Sequence, residues 1–163
     1  MSVSVESPQS PQSPKSAQSL QAVPIQEPLP LPGTILVVDD DNPVRVMLAR
    51  LLRTQGYTVV QATSALDARR LLEQQTPDLL ISDIVMPGES GIELRRFVAE
   101  RWPGLPVILV SGYSAEGPAE FASRTPATRF VQKPFAAEHL LALVDETLAE
   151  PPPGHDDAHT QDA

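Results

Sequence analysis

The sequence predicts an α/β fold in which five parallel strands form one sheet with helices on both faces. Five short apolar runs, each suited to a buried strand, alternate with segments that have the apolar spacing of amphipathic helices. Polar side chains directly follow several of these runs, and ligands bind at the carboxyl ends of the strands in such folds. The 163 residues have room for one domain of this kind with terminal extensions.

The first strand and the first helix are predicted between residues 35 and 56. Residues 35–38 form an apolar, mostly β-branched run that leads into the acidic residues 39–41. Asn42 followed by Pro43 is typical of a helix start, and Gly56 ends the helix. The i, i+3, i+4, i+7 spacing predicts its buried face, which consists of Val44, Met47, Leu48 and Leu51.

The second and third strands are predicted at residues 57–60 and 79–81, and the third strand ends on Asp83. The helix between them ends before Pro77, because the residue before a proline disfavours the helical conformation. A third helix follows Asp83 and ends near Trp102. The apolar repeats of these two helices are Ala65, Ala68, Leu71 and Leu72, then Leu94, Phe97 and Val98.

The last two strands are predicted at residues 107–110, ending on Ser111, and at residues 129–132, ending on Lys133. A helix with few apolar repeats is predicted between them, around residues 118–124. The repeats of the final helix are Ala137, Leu140, Leu141, Val144 and Leu148. Right-handed crossovers leave few strand orders for this alternation, and the flavodoxin-like order 2-1-3-4-5 is one of the two common ones.

Two terminal segments differ in composition from the alternating region at residues 34–149. Residues 1–33 contain a Ser-Pro-Gln repeat with seven Pro and seven Ser, which is typical of a disordered arm. Residues 150–163 carry acidic side chains without Lys or Arg, and they are predicted to form a disordered acidic tail. The folded domain is therefore expected at residues 34–149.

Composition disfavours several classes of function. The net charge of −9 and the lack of a basic stripe argue against nucleic-acid binding. There is no Cys, so thiolate metal sites and Cys nucleophiles are excluded. No apolar run approaches the length of about 18 residues that a membrane helix needs, and the polar start does not resemble a secretory signal. A cytoplasmic protein without membrane contact is expected.

The polar residues that follow four of the strands are expected to meet at one edge of the sheet. They are the acids 39–41, Asp83, Ser111 and Lys133. Carboxylates without nearby His or Cys suit Mg²⁺, which phosphate often completes. Lys and Ser can contact phosphate oxygens, and a carboxylate can attack phosphorus. The set therefore predicts phosphoryl transfer, although helix capping or a surface turn would explain each residue taken alone.

The chain resembles the receiver domains of the two-component response regulators of bacterial signalling, over residues 34–149. The matching motifs are Val37-Val38-Asp39-Asp40, Ser82-Asp83-Ile84-Val85-Met86-Pro87 with Gly91, Val110-Ser111-Gly112, and Lys133-Pro134-Phe135. Their number and order make the resemblance specific. It implies the flavodoxin-like (βα)5 fold with strand order 2-1-3-4-5.

The resemblance also implies the roles of the acidic residues. Asp83 would accept a phosphoryl group from the phosphohistidine of a histidine kinase or histidine phosphotransferase. Asp39 and Asp40 match the acidic pair that holds Mg²⁺, and Asp83 and the backbone carbonyl of Val85 would complete the metal site. The domain would then catalyse its own phosphorylation and dephosphorylation, and it would not act as an enzyme on a separate substrate.

A conformational switch is implied as well. Ser111 matches the switch hydroxyl, Lys133 matches the phosphate-binding lysine, and the Lys133–Pro134 bond is expected to be cis. Phe130 takes the place of the usual switch aromatic and lacks a hydroxyl. Phosphorylation would change the surface of the fourth helix, fifth strand and fifth helix for signalling to a target protein. A monomer or weak dimer is expected. Val85 and Tyr113 flank the acceptor and are expected to slow attack by water.

Other classes of protein share parts of this pattern. Haloacid-dehalogenase-like phosphatases also place an Asp-x-Asp after the first strand, but they need a further acidic pair after the lysine strand. Here Glu138, Asp145 and Glu146 fall on the predicted last helix instead. A binding module without phosphorylation is disfavoured because Asp83 and Lys133 are both present. A receiver segment of a hybrid histidine kinase is a further alternative.

Overall fold

The computed structural model describes residues 33–112 and 116–150, together with residue 8. The predicted disorder of the arm and of the acidic tail therefore concerns residues that lie almost entirely outside this description. The described strands are Thr34–Val38 (β1), Thr58–Ala62 (β2), Leu79–Asp83 (β3), Val107–Ser111 (β4) and Thr128–Gln132 (β5). The described helices are Asn42–Thr54 (α1), Ala65–Gln74 (α2), Gly91–Arg101 (α3), Glu116–Arg124 (α4) and Ala137–Ala149 (α5).

The five strands form one parallel sheet in the order β2-β1-β3-β4-β5, which confirms the flavodoxin-like order. The register pairs Val38 with Ser82 and Asp83 with Val110, so the central strands end at nearly the same level. We call this side the carboxyl edge, where Val38, Asp83, Ser111 and Gln132 stand. The opposite side, where Thr34, Leu79, Val107 and Thr128 stand, is the amino edge.

Side chains of the central strands point alternately into two apolar clusters, because successive strand residues face opposite sides of the sheet. Leu36, Leu80 and Leu109 belong to the cluster that packs against α2 and α3 and includes Phe121 of α4. Ile35, Ile81 and Ile108 belong to the cluster that packs against α1 and α5. Burial on both faces explains why these strands read as continuous apolar runs.

The buried face of α1 differs from the predicted one. Leu48 is buried as expected, but Met47 is 51% exposed, and the buried stripe consists of Arg45, Leu48, Ala49 and Leu52. Arg45 can turn inward because its guanidinium donates to the backbone carbonyl of Asp39 at 2.7 Å and to Asn42 Oδ1 at 2.6 Å. The helix packs on the sheet through Leu48, Ala49 and Leu52, and Met47 lies outside this stripe.

The described domain begins and ends at the amino edge. Thr34 N donates to Asp78 Oδ2 at 2.7 Å, and the carbonyl of Gly33 accepts from Thr58 N at 3.2 Å. At the other end, Glu150 pairs with Arg129 near the start of β5. The carboxyl edge is thus left to the polar residues that follow the strands. None of the helices in residues 33–112 and 116–150 is long and apolar enough to cross a membrane.

Candidate functional site

The acidic run after β1 divides into residues with different environments. Asp39 is 2% exposed, and its Oδ1 accepts from the backbone N of Asp41 at 2.9 Å. Asp40 is exposed next to it. Asp41 is the N-cap of α1, and its side chain accepts from Val44 N at 3.4 Å. Helix capping thus accounts for Asp41, whereas it does not account for Asp39 and Asp40.

Asp83 ends β3 and is 9% exposed. Its backbone carbonyl accepts from Ser82 Oγ at 2.9 Å, and the next residue, Ile84, donates its N–H to Val110 O at 2.9 Å. The loop then returns so closely that a Cβ on Gly91 would lie 2.1 Å from the Asp83 carbonyl oxygen. Only glycine fits there without movement, so the sequence of the loop fixes the backbone that carries Asp83.

Lys133 brings the neighbouring strands together at the carboxyl edge. Its backbone N donates to Ser111 O at 2.7 Å, and Ser111 itself is buried. The Nζ of Lys133 lies 3.3 Å from Asp39 Oδ2 and 3.4 Å from Asp83 Oδ1. The Lys133–Pro134 peptide is cis, as the resemblance led us to expect. The predicted residues from β1, β3, β4 and β5 therefore meet at one edge.

Charge and burial oppose one another at Asp83. Burial raises the pKa of its carboxyl above the ordinary value, the Lys133 charge lowers it, and the Asp39 charge raises it again, with the net effect upward. Two carboxylates therefore share one ammonium group in a partly desolvated site. A further positive charge at this place would relieve the repulsion between them.

Three side chains at this edge could hold a metal ion. Single carboxylate oxygens of Asp39, Asp40 and Asp83 all lie within 4.8 Å of one another. These are hard oxygen donors without an accompanying His, which suits Mg²⁺ better than zinc. Val85 lies two residues beyond Asp83 in the chain and is 54% exposed. The donor set fits the predicted magnesium site.

Phe130, the predicted switch aromatic, is not part of the acidic group formed by Asp39, Asp40 and Asp83. Phe130 lies on β5, is partly buried, and packs against the cluster that faces α2 and α3. Tyr113 lies outside the described residues, so its expected position beside Asp83 stays a prediction. Glu138, Asp145 and Glu146 all lie on α5, as expected, and not in the acidic group.

Arg45 is a contributor to the site that sequence reasoning missed. It is 8% exposed and its Nη1 donates to the backbone carbonyl of Asp39, which holds the turn between β1 and α1. The signal available in the sequence was its place one turn after Asp41 on the helix. A charged residue there is usually solvent-facing, so the spacing alone did not single it out.

The fold and the group of acids, hydroxyl and lysine at the carboxyl edge are those of a phosphoryl-receiving signalling domain. A family model described as the response regulator receiver domain matches residues 35–145. The chain belongs to the response regulator receiver domain family. It therefore has the general role of a receiver in two-component phosphorelay signalling. Receiver domains generally bind Mg²⁺ at an acidic pocket, and they interact with histidine kinases or phosphotransferases.

Curated relatives agree with this family. The DNA-binding transcriptional regulator NtrC of Escherichia coli strain K12 is 35% identical over 117 residues, which is 72% of this chain and 25% of NtrC. The sensor kinase CckA of Brucella abortus is 36% identical over 121 residues, which is 71% of this chain and 12% of CckA. The chain thus spans a quarter or less of each of these two relatives. One of them is a transcriptional regulator and the other is a sensor kinase.

Solved structures show the same domain. A CheY-like receiver domain protein from Methanospirillum hungatei has a TM-score of 0.67 at 29% identity, over 72% of this chain and 94% of that chain. The receiver domain of the hybrid histidine kinase CckA has a TM-score of 0.60 at 35% identity, over 71% of this chain and 99% of that chain. The receiver is thus found in proteins of more than one architecture.

Proposed function

We propose that Asp83 is the phosphoacceptor of this receiver and takes a phosphoryl group from the phosphohistidine of a histidine kinase or phosphotransferase. The observation that carries the proposal is the position of Lys133 Nζ, 3.3 Å from Asp39 and 3.4 Å from Asp83. A cation held between two buried carboxylates is placed to contact phosphate oxygens beside one of them.

In the proposed transfer, the phosphoryl group passes from the imidazole nitrogen of a phosphohistidine to Asp83. A carboxylate oxygen of Asp83 forms a bond to phosphorus while the bond from phosphorus to the imidazole nitrogen breaks. The electron pair stays on that nitrogen, which takes a proton from solvent. Lys133 offsets charge on the phosphoryl oxygens, and the hydroxyl of Ser111 donates to one of them after a small shift.

Mg²⁺ would be held by Asp39, Asp40, Asp83 and the backbone carbonyl of Val85. The close approach of the three carboxylates supports this assignment. When bound, the ion supplies positive charge that lowers the repulsion between the carboxylates and an incoming phosphoryl group. Asp40 is the exposed carboxylate of the three, so the site faces solvent on the side of Asp40.

The signal would leave through the surface formed by α4, β5 and α5. Phosphorylation draws Ser111 toward the phosphoryl oxygens, and Phe130 then moves inward from its partly buried position. Because Phe130 has no hydroxyl, the change relies on packing rather than on a new hydrogen bond. The partner is a target protein, and the domain at residues 34–149 acts in the cytoplasm as a monomer or weak dimer. It is a self-phosphorylating acceptor and not an enzyme with a separate substrate.

The wider context of the domain has two candidates. One is a response regulator that signals through its receiver surface. The other is a receiver segment of a hybrid histidine kinase. The 35% identity to NtrC and the 36% identity to the sensor kinase CckA support the two candidates equally. The proposed chemistry at Asp83 is the same in both.

Phosphorylation of the full chain by a small acyl phosphate tests the proposal. With Mg²⁺ present, intact mass spectrometry should show the addition of one phosphoryl group to the wild type and none to the Asp83→Asn variant. Asp78→Asn is the matched control, because Asp78 precedes the same strand at the opposite edge. It should be phosphorylated like the wild type. A chelator should abolish the mass increase.

Two results would contradict the proposal. One is an equal mass increase in the wild type and in the Asp83→Asn variant, which would place the phosphoryl group elsewhere. The other is no increase in any variant although circular dichroism shows that each is folded.

A further inference from the structure

The amino edge of the sheet holds an open cavity of about 830 Å³ that the phosphoryl chemistry does not use. We call it the amino-edge cavity. It lies between the loops before β3, β4 and β5 and the last turn of α5, so it is on the side of the domain away from Asp83. Its apolar lining residues include Pro77, Trp102, Pro103, Leu105, Pro106 and Leu148, and polar side chains form the rest of the lining. A partly apolar recess of this size on the surface of a small domain is a candidate binding site.

Trp102 gives the amino-edge cavity a defined wall. Its ring meets Phe97 edge to face with centroids 6.0 Å apart, and its backbone N donates to Val98 O at 2.7 Å. The side chain is half-buried and lines the cavity. A fixed indole flanked by prolines resembles the aromatic-lined grooves that take extended, proline-rich segments.

The amino-terminal arm joins the domain at the rim of this cavity. Thr34 N donates to Asp78 Oδ2, and Asp78 is one of the lining residues. Gly33 lies so close that a Cβ on it would stand 2.3 Å from the same oxygen. Residues 24–32, which directly precede this point, have the sequence PIQEPLPLP. They combine four prolines with three large aliphatic side chains.

We propose that residues 24–32 dock in the amino-edge cavity of their own chain. A segment of nine residues in the polyproline II conformation extends about 28 Å at roughly 3.1 Å per residue, which is enough to cross the cavity from its rim. Because the segment is tethered at the rim, its effective concentration is in the millimolar range, so even weak complementarity is enough to hold it.

The acidic tail is a less suitable occupant although it also starts near the cavity. Residues 151–163 contain no Leu, Ile or Val that could fill an apolar recess. The two cations of the lining, Arg101 and Arg129, already pair with Glu73 and Glu150. Their charges are therefore largely matched before an acidic segment could approach. Apolar complementarity favours the arm.

Docking at this edge has a consequence for signalling. The arm would be held on the side away from Asp83, and it would leave the carboxyl edge open to the phosphoryl donor. The amino-edge cavity would then be closed to other partners in both the phosphorylated and unphosphorylated states.

Fluorescence of Trp102, the single Trp of the chain, tests the proposal in the full-length protein. The Leu29→Ser/Leu31→Ser double variant should show emission at longer wavelength and acrylamide quenching increased about twofold, because the indole loses its apolar cover. The matched control is Leu20→Ser/Val23→Ser, which changes two aliphatic residues of the same arm outside residues 24–32. It should match the wild type.

The outcomes are decisive in both directions. A peptide of residues 24–32 that restores low quenching to the Leu29→Ser/Leu31→Ser variant would support docking at this site. Equal quenching in all three proteins would overturn the proposal, and so would equal increases in both variants. Protection that falls on dilution of the wild type would also overturn it, because the cover would then be a second copy. Phosphorylation should proceed equally in all three proteins, which keeps this test separate from that of Asp83.

Discussion

Asp83 occupies a position where the protein tolerates an unfavourable charge. Burial and the neighbouring Asp39 raise the pKa of its carboxyl, and Lys133 compensates only in part. Folding therefore favours the protonated form of Asp83. The stability that this group contributes is present in full below its ordinary pKa, and it is lost as pH rises through the raised pKa of the folded state.

The Asp83→Asn variant should accordingly be more stable than the wild type at neutral pH and in the absence of divalent cations. We expect an increase of about 1 kcal/mol, the usual size of a single-substitution effect, with a smaller difference in acid. Urea unfolding of both proteins in the presence of a chelator, at neutral and acidic pH, measures the two differences. A stabilisation that grows toward acid would contradict the assigned direction of the pKa shift.

Tyr57 is a second residue whose titration depends on the fold. Burial and a 2.8 Å hydrogen bond to Asp145 Oδ1 raise the pKa of its phenol from 10.0 to about 12. The stability that it contributes is therefore present below pH 10 and lost between the two values.

Absorbance titration of tyrosinate can check this shift in a Tyr113→Phe background, where Tyr57 is the single tyrosine left. We expect ionisation near pH 12, and we expect Asp145→Asn to lower the pKa because it removes a charge that repels the phenolate. An unchanged midpoint in Asp145→Asn would show that burial alone causes the shift. Glu146→Gln, one residue further along α5, is the control and should leave the midpoint unchanged.

The residues that sequence reasoning identified and those it missed differ in what surrounds them in the chain. Asp83, Ser111 and Lys133 were predicted because a polar side chain directly after a buried strand is conspicuous. Arg45 and Arg95 were not, although both are less than a tenth exposed. Arg95 donates through Nε to Thr128 Oγ1 and through Nη2 to Pro126 O, both at 2.6 Å. Because these hydrogen-bond partners lie 31 and 33 residues away, the sequence around Arg95 contains no pattern that predicts its burial.

At the scale of the element, the start of α3 fixes the loop that follows Asp83. Ser90 and Glu93 form a capping box in which Glu93 N donates to Ser90 Oγ at 3.2 Å and Ser90 N donates to Glu93 Oε2 at 2.8 Å. The backbone N and the Oγ of Ser90 both donate to the Glu93 carboxylate, and these two hydrogen bonds lower its pKa. The first helical residue, Gly91, donates to Ile84 O at 2.9 Å. The helix start therefore positions the backbone of the proposed acceptor.

Replacing Gly91 by Ala should disturb that backbone, because the new methyl group would meet the Asp83 carbonyl oxygen. We expect a loss of about 2 kcal/mol, within the range for overpacking, together with slower phosphorylation by an acyl phosphate. Gly117→Ala is the control, since a Cβ there has open space around it. Equal stability and phosphorylation rates in both variants would show that the loop adapts without cost.

The helices also show where periodicity is insufficient. The i, i+3, i+4, i+7 spacing correctly placed Leu48 of α1 inside, but it also included Met47, which is half-exposed. The spacing of apolar residues defines a stripe only to within one residue on either side. The buried stripe of α1 also contains Arg45, which hydrogen-bonds to Asp39 and Asn42, and apolar periodicity does not describe a charged member of this kind.

For the whole molecule, the order of strands and helices was predictable because each buried run contrasts with its neighbours. The chain-order pattern predicted a parallel sheet, yet several strand orders satisfied the crossover rule. The motifs of the receiver family were needed to select the order β2-β1-β3-β4-β5 that is observed. The amino-edge cavity was not predictable, since its walls come from four separate parts of the chain.

Metal binding should stabilise the entire fold, because an ion that binds only the native state shifts the unfolding equilibrium. Free Mg²⁺ at roughly ten times its Kd adds about 1.4 kcal/mol, which corresponds to a Tm increase of about 4 °C for a domain of this size. Asp40→Asn should lose most of this increase. Its neighbour provides the control, since Asp41→Asn removes one charge but keeps an equally good helix cap. Equal Tm increases in both variants would argue against Asp40 as a ligand.

The start of β1 and the end of α5 lie on the same side of the domain, where Glu150 pairs with Arg129 and Thr34 pairs with Asp78. A domain whose two ends emerge together can be inserted as a closed module into a loop of another protein. For the same reason the two ends could be joined by a short peptide and new ends opened elsewhere, a circular permutation. In either arrangement the carboxyl edge would face away from the junction, so the proposed phosphorylation site would stay accessible in the new protein.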